Sequence, residues 1–236
     1  MSKLYGVGVG PGDPELMTIK ALNAIKKSKI ICFAGKSEDS SIAFNIAIEA
    51  MPEINKKKKI CIDFPMTKNQ YVLEEAHTKI SEQIKTLLKE GDVALLTLGD
   101  PGVYATYSYI AERLKKEDVK VVTIAGITSF SAAAAKLGIP LTLADEELHV
   151  IPSSYSFEEA FNLSGTLVFM KSGKSYENLI SYIREKKMHS LISENVKSIL
   201  KKSPVSELPS IKKLCEITGL NNYYPQTYFA KSAGMK

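Results

Sequence analysis

The sequence is poor in the residues that build disulfide or metal frameworks. It holds three cysteines, at positions 32, 61 and 215, and three histidines, at positions 77, 149 and 189. No two cysteines form a C-x-x-C pair, and Cys32 and Cys61 fall in apolar, strand-like segments, so we expect reduced cysteines in the core rather than disulfides. Because the histidines are equally scattered, we predict no metal site.

Long apolar runs are also missing. No run approaches the roughly 20 residues that a membrane-spanning helix needs, and the N-terminus carries a glycine-rich strand where a secretory signal would place its apolar region. We therefore predict a cytoplasmic protein without a membrane partner. The net charge of +5 suits an anionic partner. Nucleic acid is not predicted, however, because the lysines are dispersed and only Lys56–Lys59 form a block.

Short apolar segments alternate with amphipathic ones about five times in the first half of the chain. This alternation predicts a parallel sheet wound with helices, as in α/β folds. The predicted strands are 4–9, 30–34, 60–62, 93–98 and 119–124, and the predicted helices are 18–27, 40–51, 69–89, 104–116 and 131–137.

Beyond residues 138–140 the strands become shorter and the connections less regular. Strands are predicted at 148–151, 166–170, 190–193 and 227–230, with helices at 157–162 and 175–186. Residues 196–224 give no clear pattern. The sequence thus predicts two α/β domains, a Rossmann-like domain with a parallel sheet at 1–124 and a domain with a mixed sheet at 125–236.

The strand predicted at 93–98 runs directly into the turn Gly99-Asp100-Pro101-Gly102. Open α/β sheets bind ligands at the carboxyl ends of their strands, and glycines let a ligand approach the main chain closely. Asp100 adds a carboxylate at this edge. The alternative is that Asp100 simply caps the following helix.

A second glycine-rich loop, residues 10–15, follows the first strand and could cradle a phosphate. The glycine spacing over residues 6–12 is G-x-G-x-G-x-G with a proline inside, and no acidic residue clearly ends the second strand, so a nicotinamide site is not predicted. Either Asp13 or Thr18 is expected to cap the next helix.

Two further segments carry candidate ligand contacts. Phe64 and Met66 lie in an otherwise polar loop, which indicates a ligand wall, a partner contact or a hydrophobic plug. Thr128 and Ser129 precede an alanine-rich helix, where their hydroxyls could bind a polar ligand or only cap the helix.

Three of these blocks together resemble the tetrapyrrole (corrin/porphyrin) methylases. Residues 5–18 resemble the opening signature of that family, residues 99–104 its cofactor loop, and residues 126–129 a third shared block. Two stretches, 63–68 and 103–109, further resemble the branch of the family that methylates C20.

The resemblance implies two α/β domains with S-adenosylmethionine bound in a cleft between them, and a homodimer. It also implies methylation of C20 of a tetrapyrrole in cobalamin biosynthesis. Precorrin-2 and cobalt-factor II are the two candidate substrates. Arginine occurs only at positions 113 and 184, and this skew toward lysine is typical of an AT-rich genome. Such a genome favours an anaerobe, which would insert cobalt first, and this favours cobalt-factor II. The alternatives are a methylase of the same fold acting on another ring carbon or substrate, and a non-enzymatic binding module.

Carried over by position, the resemblance assigns residues to two sets of contacts. S-adenosylmethionine would meet Gly99, Asp100, Val103, Tyr104, Thr128, Ser129 and Met170, with Asp100 holding its methionine portion or ammonium group. The tetrapyrrole would meet Pro11, Asp13, Phe64, Met66, Lys68 and Tyr107. Asp13 and Tyr107 are the candidates for a general base. At Gly102 the family commonly has a bulkier apolar residue.

Overall fold

The computed structural model describes residues 2–152, 154–171, 178–179, 181–182, 189–194, 198–199 and 227–231. The chain divides into two compact units, Met1–Thr128 and Ser129–Lys236, and each is described by itself. No helix among the described residues is long and apolar enough to cross a membrane.

The first unit is built on a parallel sheet of five strands. These are β1 (Leu4–Gly8), β2 (Ile30–Ala34), β3 (Lys58–Ile62), β4 (Val93–Thr97) and β5 (Val121–Ile124). Their order is β3-β2-β4-β1-β5, and each neighbouring pair is parallel. The predicted α/β class and parallel sheet are confirmed.

Four helices cover both faces of this sheet. They are α1 (Ile19–Lys27), α2 (Ile42–Ala50), α3 (Gln70–Leu88) and α4 (Tyr107–Lys116). Alternate residues of a strand point to opposite faces, so Ala94 and Leu96 of β4 join the core under α1 and α2. Val93 and Leu95 join the core under α3 and α4. Burial on both faces explains why β4 is apolar from Val93 to Leu96.

Side-chain caps fix where the helices of this unit begin. The Ala21 N–H donates to Thr18 Oγ1 over 3.1 Å, so Thr18 caps α1. Asp13 instead caps the short 3₁₀ turn Pro14–Leu16, where its carboxylate accepts from the Glu15 N–H. Ser41 and Asn69 cap α2 and α3 in the same way as Thr18. Each cap satisfies a backbone donor that the first helical turn leaves unpaired.

The predicted helix start at residue 104 is wrong, because Tyr104 has a φ of 48° and cannot continue a right-handed helix. The helix α4 therefore begins three residues later, at Tyr107. At β3 the sequence prediction was too short, since the strand starts at Lys58 by pairing with Ile30 of β2.

The second unit carries a mixed sheet, as predicted. Its described elements are α5 (Ser129–Leu137), β6 (Leu148–Pro152), α6 (Phe157–Ala160), β7 (Thr166–Met170), β8 (His189–Glu194), β9 (Ser198–Ile199) and β10 (Thr227–Lys231). The strand order is β6-β7-β10-β8-β9, with β6 and β7 parallel and the other pairs antiparallel. Most of the helix predicted at 175–186 and most of 196–224 lie outside the described residues, although 178–179 and 181–182 are described as helical.

Candidate functional site

The candidate site of the first unit lies at the carboxyl edge of its sheet. Because β1 lies between β4 and β5 and runs parallel to both, the loops that follow these three strands start side by side. These loops contain the three glycine-containing segments that the sequence singled out, at residues 10–15, 99–102 and 126–129. This is the edge at which open α/β sheets bind ligands.

Two glycines, Gly8 and Gly126, allow the loops at this edge to approach one another. A Cβ added to Gly126 would lie 2.1 Å from the carbonyl oxygen of Gly99, and one added to Gly8 would lie 2.6 Å from the nitrogen of Gly126. The main chains of Gly10 and Gly99 also pair, since Gly99 N donates to Gly10 O over 2.8 Å and Gly10 N donates to Gly99 O over 3.3 Å. Side chains at Gly8 and Gly126 would push the loops apart.

Asp100 connects two of these loops. Its Oδ1 accepts a hydrogen bond from Gly102 N at 2.7 Å, within its own turn. Its Oδ2 accepts from Gly126 N at 2.8 Å, in the loop that follows β5. The alternative that Asp100 caps the next helix is wrong, because α4 begins seven residues later and its N-cap, Thr106, makes no side-chain cap bond.

The turn after β4 is closed by further hydrogen bonds and carries a strained residue. Val103 N donates to Asp100 O over 3.2 Å, and Ser108 Oγ donates to the Pro101 carbonyl over 3.1 Å. Tyr104 follows in the left-handed region, where non-glycine residues are uncommon and which recurs at ligand sites. Its side chain is exposed, and that of Val103 is half-buried.

The loop after β1 is buried at its start and half-buried at Asp13. Pro11 is buried, whereas Asp13 is half-buried and already uses one carboxylate oxygen to cap the turn that follows. A Cβ added to Gly12 would meet nothing within 4 Å, and one added to Gly99 would meet only Ile127 O, at 3.9 Å. Space beside the main chain is therefore open to a ligand at both glycines.

The segment 63–68 contains one plug and one exposed apolar side chain. Phe64 is half-buried and packs against the core under α3 and α4, which favours the plug among the alternatives for that residue. Met66 is fully exposed, and Lys68 is exposed as well. Of the two apolar residues, Met66 is thus the one available to a ligand.

Tyr107 occupies a different position from the one expected of a ligand contact. Its side chain is buried, its hydroxyl lies 2.9 Å from Thr123 Oγ1, and burial raises its pKa. A Cβ added to Gly6 would lie 2.0 Å from the Tyr107 ring, so the missing side chain of Gly6 makes room for this ring. The placement gives Tyr107 a packing role and argues against it as a base, and its contact with the tetrapyrrole stays a prediction.

The remaining predicted contacts divide between the two units. Thr128 is the last residue of the first unit, and Ser129 begins the second unit as the first residue of α5. Met170, at the end of β7, pairs with Pro152 and packs against the small core of Ala133 and Val168. All three side chains are half-buried, and their contacts with a cofactor stay a prediction.

Sequence reasoning missed a buried histidine between α3 and α4. His77 stacks on Tyr109 with ring centroids 5.2 Å apart, and neither ring nitrogen has a hydrogen-bond partner among the described residues. Burial lowers the pKa of His77, the Arg113 guanidinium lowers it further, and Glu74 opposes both. Only the tertiary packing of the two helices reveals this environment, since the apolar spacing of α3 alone does not.

Comparison with known proteins places these features in a family. The family model of the tetrapyrrole (corrin/porphyrin) methylases matches residues 3–195. A probable cobalt-precorrin-2 C(20)-methyltransferase from Methanocaldococcus jannaschii is 37% identical over 180 residues, which cover 76% of each chain. The cobalt-precorrin-2 C(20)-methyltransferase of Salmonella typhimurium is 28% identical over 175 residues, which cover 72% of each chain.

Solved structures share the fold. A cobalt precorrin-4 methyltransferase superposes with a TM-score of 0.72 at 18% identity, covering 98% of this chain and 94% of that one. A uroporphyrin-III C-methyl transferase from Thermus thermophilus, complexed with S-adenosyl homocysteine, gives a TM-score of 0.67 at 20% identity and covers 98% and 97% of the two chains.

Fold and sequence together define a methyltransferase that uses S-adenosylmethionine. More particularly, the chain belongs to the tetrapyrrole (corrin/porphyrin) methylases.

Proposed function

We propose that this enzyme transfers a methyl group from S-adenosylmethionine to C20 of a tetrapyrrole in cobalamin biosynthesis, with cobalt-factor II favoured over precorrin-2 as substrate. The observation that carries the proposal is the 37% identity, over three quarters of both chains, to a relative named as a cobalt-precorrin-2 C(20)-methyltransferase. The exposed Met66, in the segment that resembles the C20 branch, supports it.

The proposed cofactor contacts in the first unit are Gly99, Asp100, Val103, Tyr104 and Thr128. The open space beside Gly99 fits a ligand against the main chain. Ser129 and Met170 stay predicted contacts from the second unit. Methyl transfer from a sulfonium needs in-line approach of an electron-rich carbon, so the main task of the chain is to position the two reactants.

The proposed substrate contacts are Pro11, Asp13, Met66 and Lys68. The substrate is a polycarboxylate, and the exposed Lys68 ammonium offers charge complementarity to it. Asp13 is the one candidate base that remains, since Tyr107 is buried and bonded to Thr123. We also expect a homodimer in the cytoplasm, and both of these stay predictions.

An anaerobic single-turnover assay with methyl-labelled S-adenosylmethionine tests the reaction. Cobalt-factor II and precorrin-2 are offered in separate reactions, and the position of the label is read by NMR. If the label appears at C20 of only one of the two rings, that result identifies both the reaction and the substrate. Label on another carbon would replace the C20 assignment by the alternative within the same family.

A variant at Met66 tests the substrate surface separately. Because this side chain is fully exposed in the free protein, Met66→Ser should leave the stability unchanged. Covering part of the side chain with the ring would stabilise binding by about 1 kcal/mol, so KM for the ring should rise about fivefold while S-adenosylhomocysteine affinity stays the same. Leu143→Ser, at an exposed apolar residue of the second unit, is the control. An unchanged KM would remove Met66 from the substrate site.

A further inference from the structure

We infer that Asp100 is a positioning residue, whose carboxylate ties the loop after β4 to the loop after β5 and so holds the cofactor-binding main chain in place. This differs from the expectation that Asp100 binds the cofactor's ammonium group directly. The inference rests on the proposed function, because it concerns how that same cofactor site is assembled.

Both oxygens of the Asp100 carboxylate already have main-chain partners. Oδ1 accepts from Gly102 N at 2.7 Å and Oδ2 from Gly126 N at 2.8 Å. Both distances fall in the short range that is typical of hydrogen bonds to an ionised carboxylate. The two donors, Gly102 and Gly126, belong to different loops and are 24 residues apart in sequence.

The Gly126 N–H needs this acceptor because it lies beyond the end of the strand ladder. The pairing of β1 with β5 stops at Val7 and Ile124, so the sheet offers Gly126 no carbonyl partner there. A half-buried backbone donor without a partner is costly. Asp100 supplies the acceptor from the neighbouring loop.

The close packing of glycines makes the tie effective. Gly126 lies directly against the Gly99 carbonyl and Gly8 Cα, with no room for a side chain between them. Movement of the loop after β5 would therefore displace the residue next to Asp100. A change at Asp100 is transmitted to every part of the cofactor that touches the two loops.

The two roles predict different behaviour toward two cofactor analogues. S-adenosylhomocysteine carries the ammonium and carboxylate of the amino-acid portion, whereas 5′-methylthioadenosine keeps the adenosine and sulfur but lacks both charged groups. A residue that binds the ammonium group increases the affinity for S-adenosylhomocysteine alone. A residue that positions the loops increases the affinity for both analogues.

The test uses Asp100→Asn in the full chain. An asparagine presents an NH₂ group to one of the two N–H donors, so one bond is lost and two donors face each other. We expect calorimetry to show the affinities for both analogues falling by the same factor, about tenfold or more. A loss confined to S-adenosylhomocysteine would overturn the inference and restore direct ammonium binding.

Amide hydrogen exchange of the ligand-free protein gives an independent readout. This readout uses Asp100→Ala, which leaves neither Gly102 N nor Gly126 N an acceptor. If Asp100 ties the loops, the Gly126 amide should exchange at least about tenfold faster in Asp100→Ala. Asp118→Asn, at an exposed residue with positive φ that asparagine tolerates, is the control and should leave this rate unchanged. An unchanged Gly126 rate in Asp100→Ala would overturn the inference.

The two readouts separate this inference from the proposed function. If the wild-type protein binds neither analogue, the proposed cofactor site is wrong. The Gly126 exchange rate still decides whether Asp100 ties the loops, because it is measured without ligand.

Discussion

The close contact at Gly126 gives the sharpest test of how the candidate site is built. Its φ lies outside the left-handed region, so alanine could adopt its backbone conformation. The new Cβ would nevertheless lie 2.1 Å from Gly99 O, with Gly8 Cα at 2.9 Å. Carbon–oxygen contacts normally lie at about 3.3 Å or more, so the main chain has to move by roughly 1 Å.

We expect Gly126→Ala to destabilise the protein by about 3 kcal/mol, the upper end of ordinary overpacking. The clash involves backbone atoms on both sides, which cannot rotate away as a side chain would. For a chain of this length the melting temperature should fall by about 6–12 °C. The affinity for S-adenosylhomocysteine should fall as well, because the same movement separates the loops that are proposed to bind it.

The measurement is urea unfolding followed by circular dichroism, with hydrogen exchange of β4 and β5 peptides to localise the change. Gly138→Ala is the matched control, because that glycine has a φ of +65° and a new Cβ would meet nothing within 4 Å. The substitution Gly138→Ala should lower the free energy of unfolding by only about 1 kcal/mol, the backbone penalty for a positive φ. If Gly126→Ala were no less stable than Gly138→Ala, the argument from close packing would be refuted.

Two further predictions concern buried titratable groups. Burial lowers the pKa of His77 below its value in the unfolded chain. The neutral His77 ring therefore makes its full contribution to the free energy of unfolding only at pH values above the unfolded pKa. The free energy of unfolding should therefore decline as the pH falls from about 7 to 5, by at most about 1.4 kcal/mol per pH unit. In His77→Phe the urea midpoint should depend less on pH over this range. Burial raises the pKa of the Cys32 thiol to about 12. The Cys61 residue is exposed, and the pKa of its thiol is raised first by partial desolvation and then by the Glu38 carboxylate. In a Cys215→Ser protein, a thiol reagent should label Cys61 slowly in the native state and Cys32 only on unfolding. Labelling of Cys32 in the native state would contradict its burial.

The fold of the first unit follows from local sequence to a large extent. Apolar runs such as 93–97 are short, lie between turn residues and alternate with amphipathic segments, and these properties depend on the segment alone. The mixed sheet of the second unit was likewise indicated by its less regular spacing. Element ends were harder, since a positive φ at Tyr104 depends on the hydrogen bonds around Pro101 and Asp100 rather than on the residue type.

The candidate site was predictable in its location but not in its internal contacts. The sequence indicated the edge where Gly99 and Gly126 lie, because glycine-rich turns follow apolar strands. It could not show that Asp100 bonds to Gly126, which requires the strand order β4-β1-β5 to be known. The same holds for Gly6, whose missing side chain makes room for the Tyr107 ring of α4, the helix that packs on this face of the sheet.

The strand order has a consequence for how the chain folds as it is synthesised. β1 is made first, yet both of its neighbours are made much later, and Lys3 N bonds to Asp92 at a separation of 89 positions. At translation rates of about 5–20 residues per second, β1 waits roughly 4–18 s for its first partner strand. During this interval β2 and β3 can pair with each other, while β1 has no partner strand. Slow codons after residue 124 would give the completed sheet time to close before the second unit emerges.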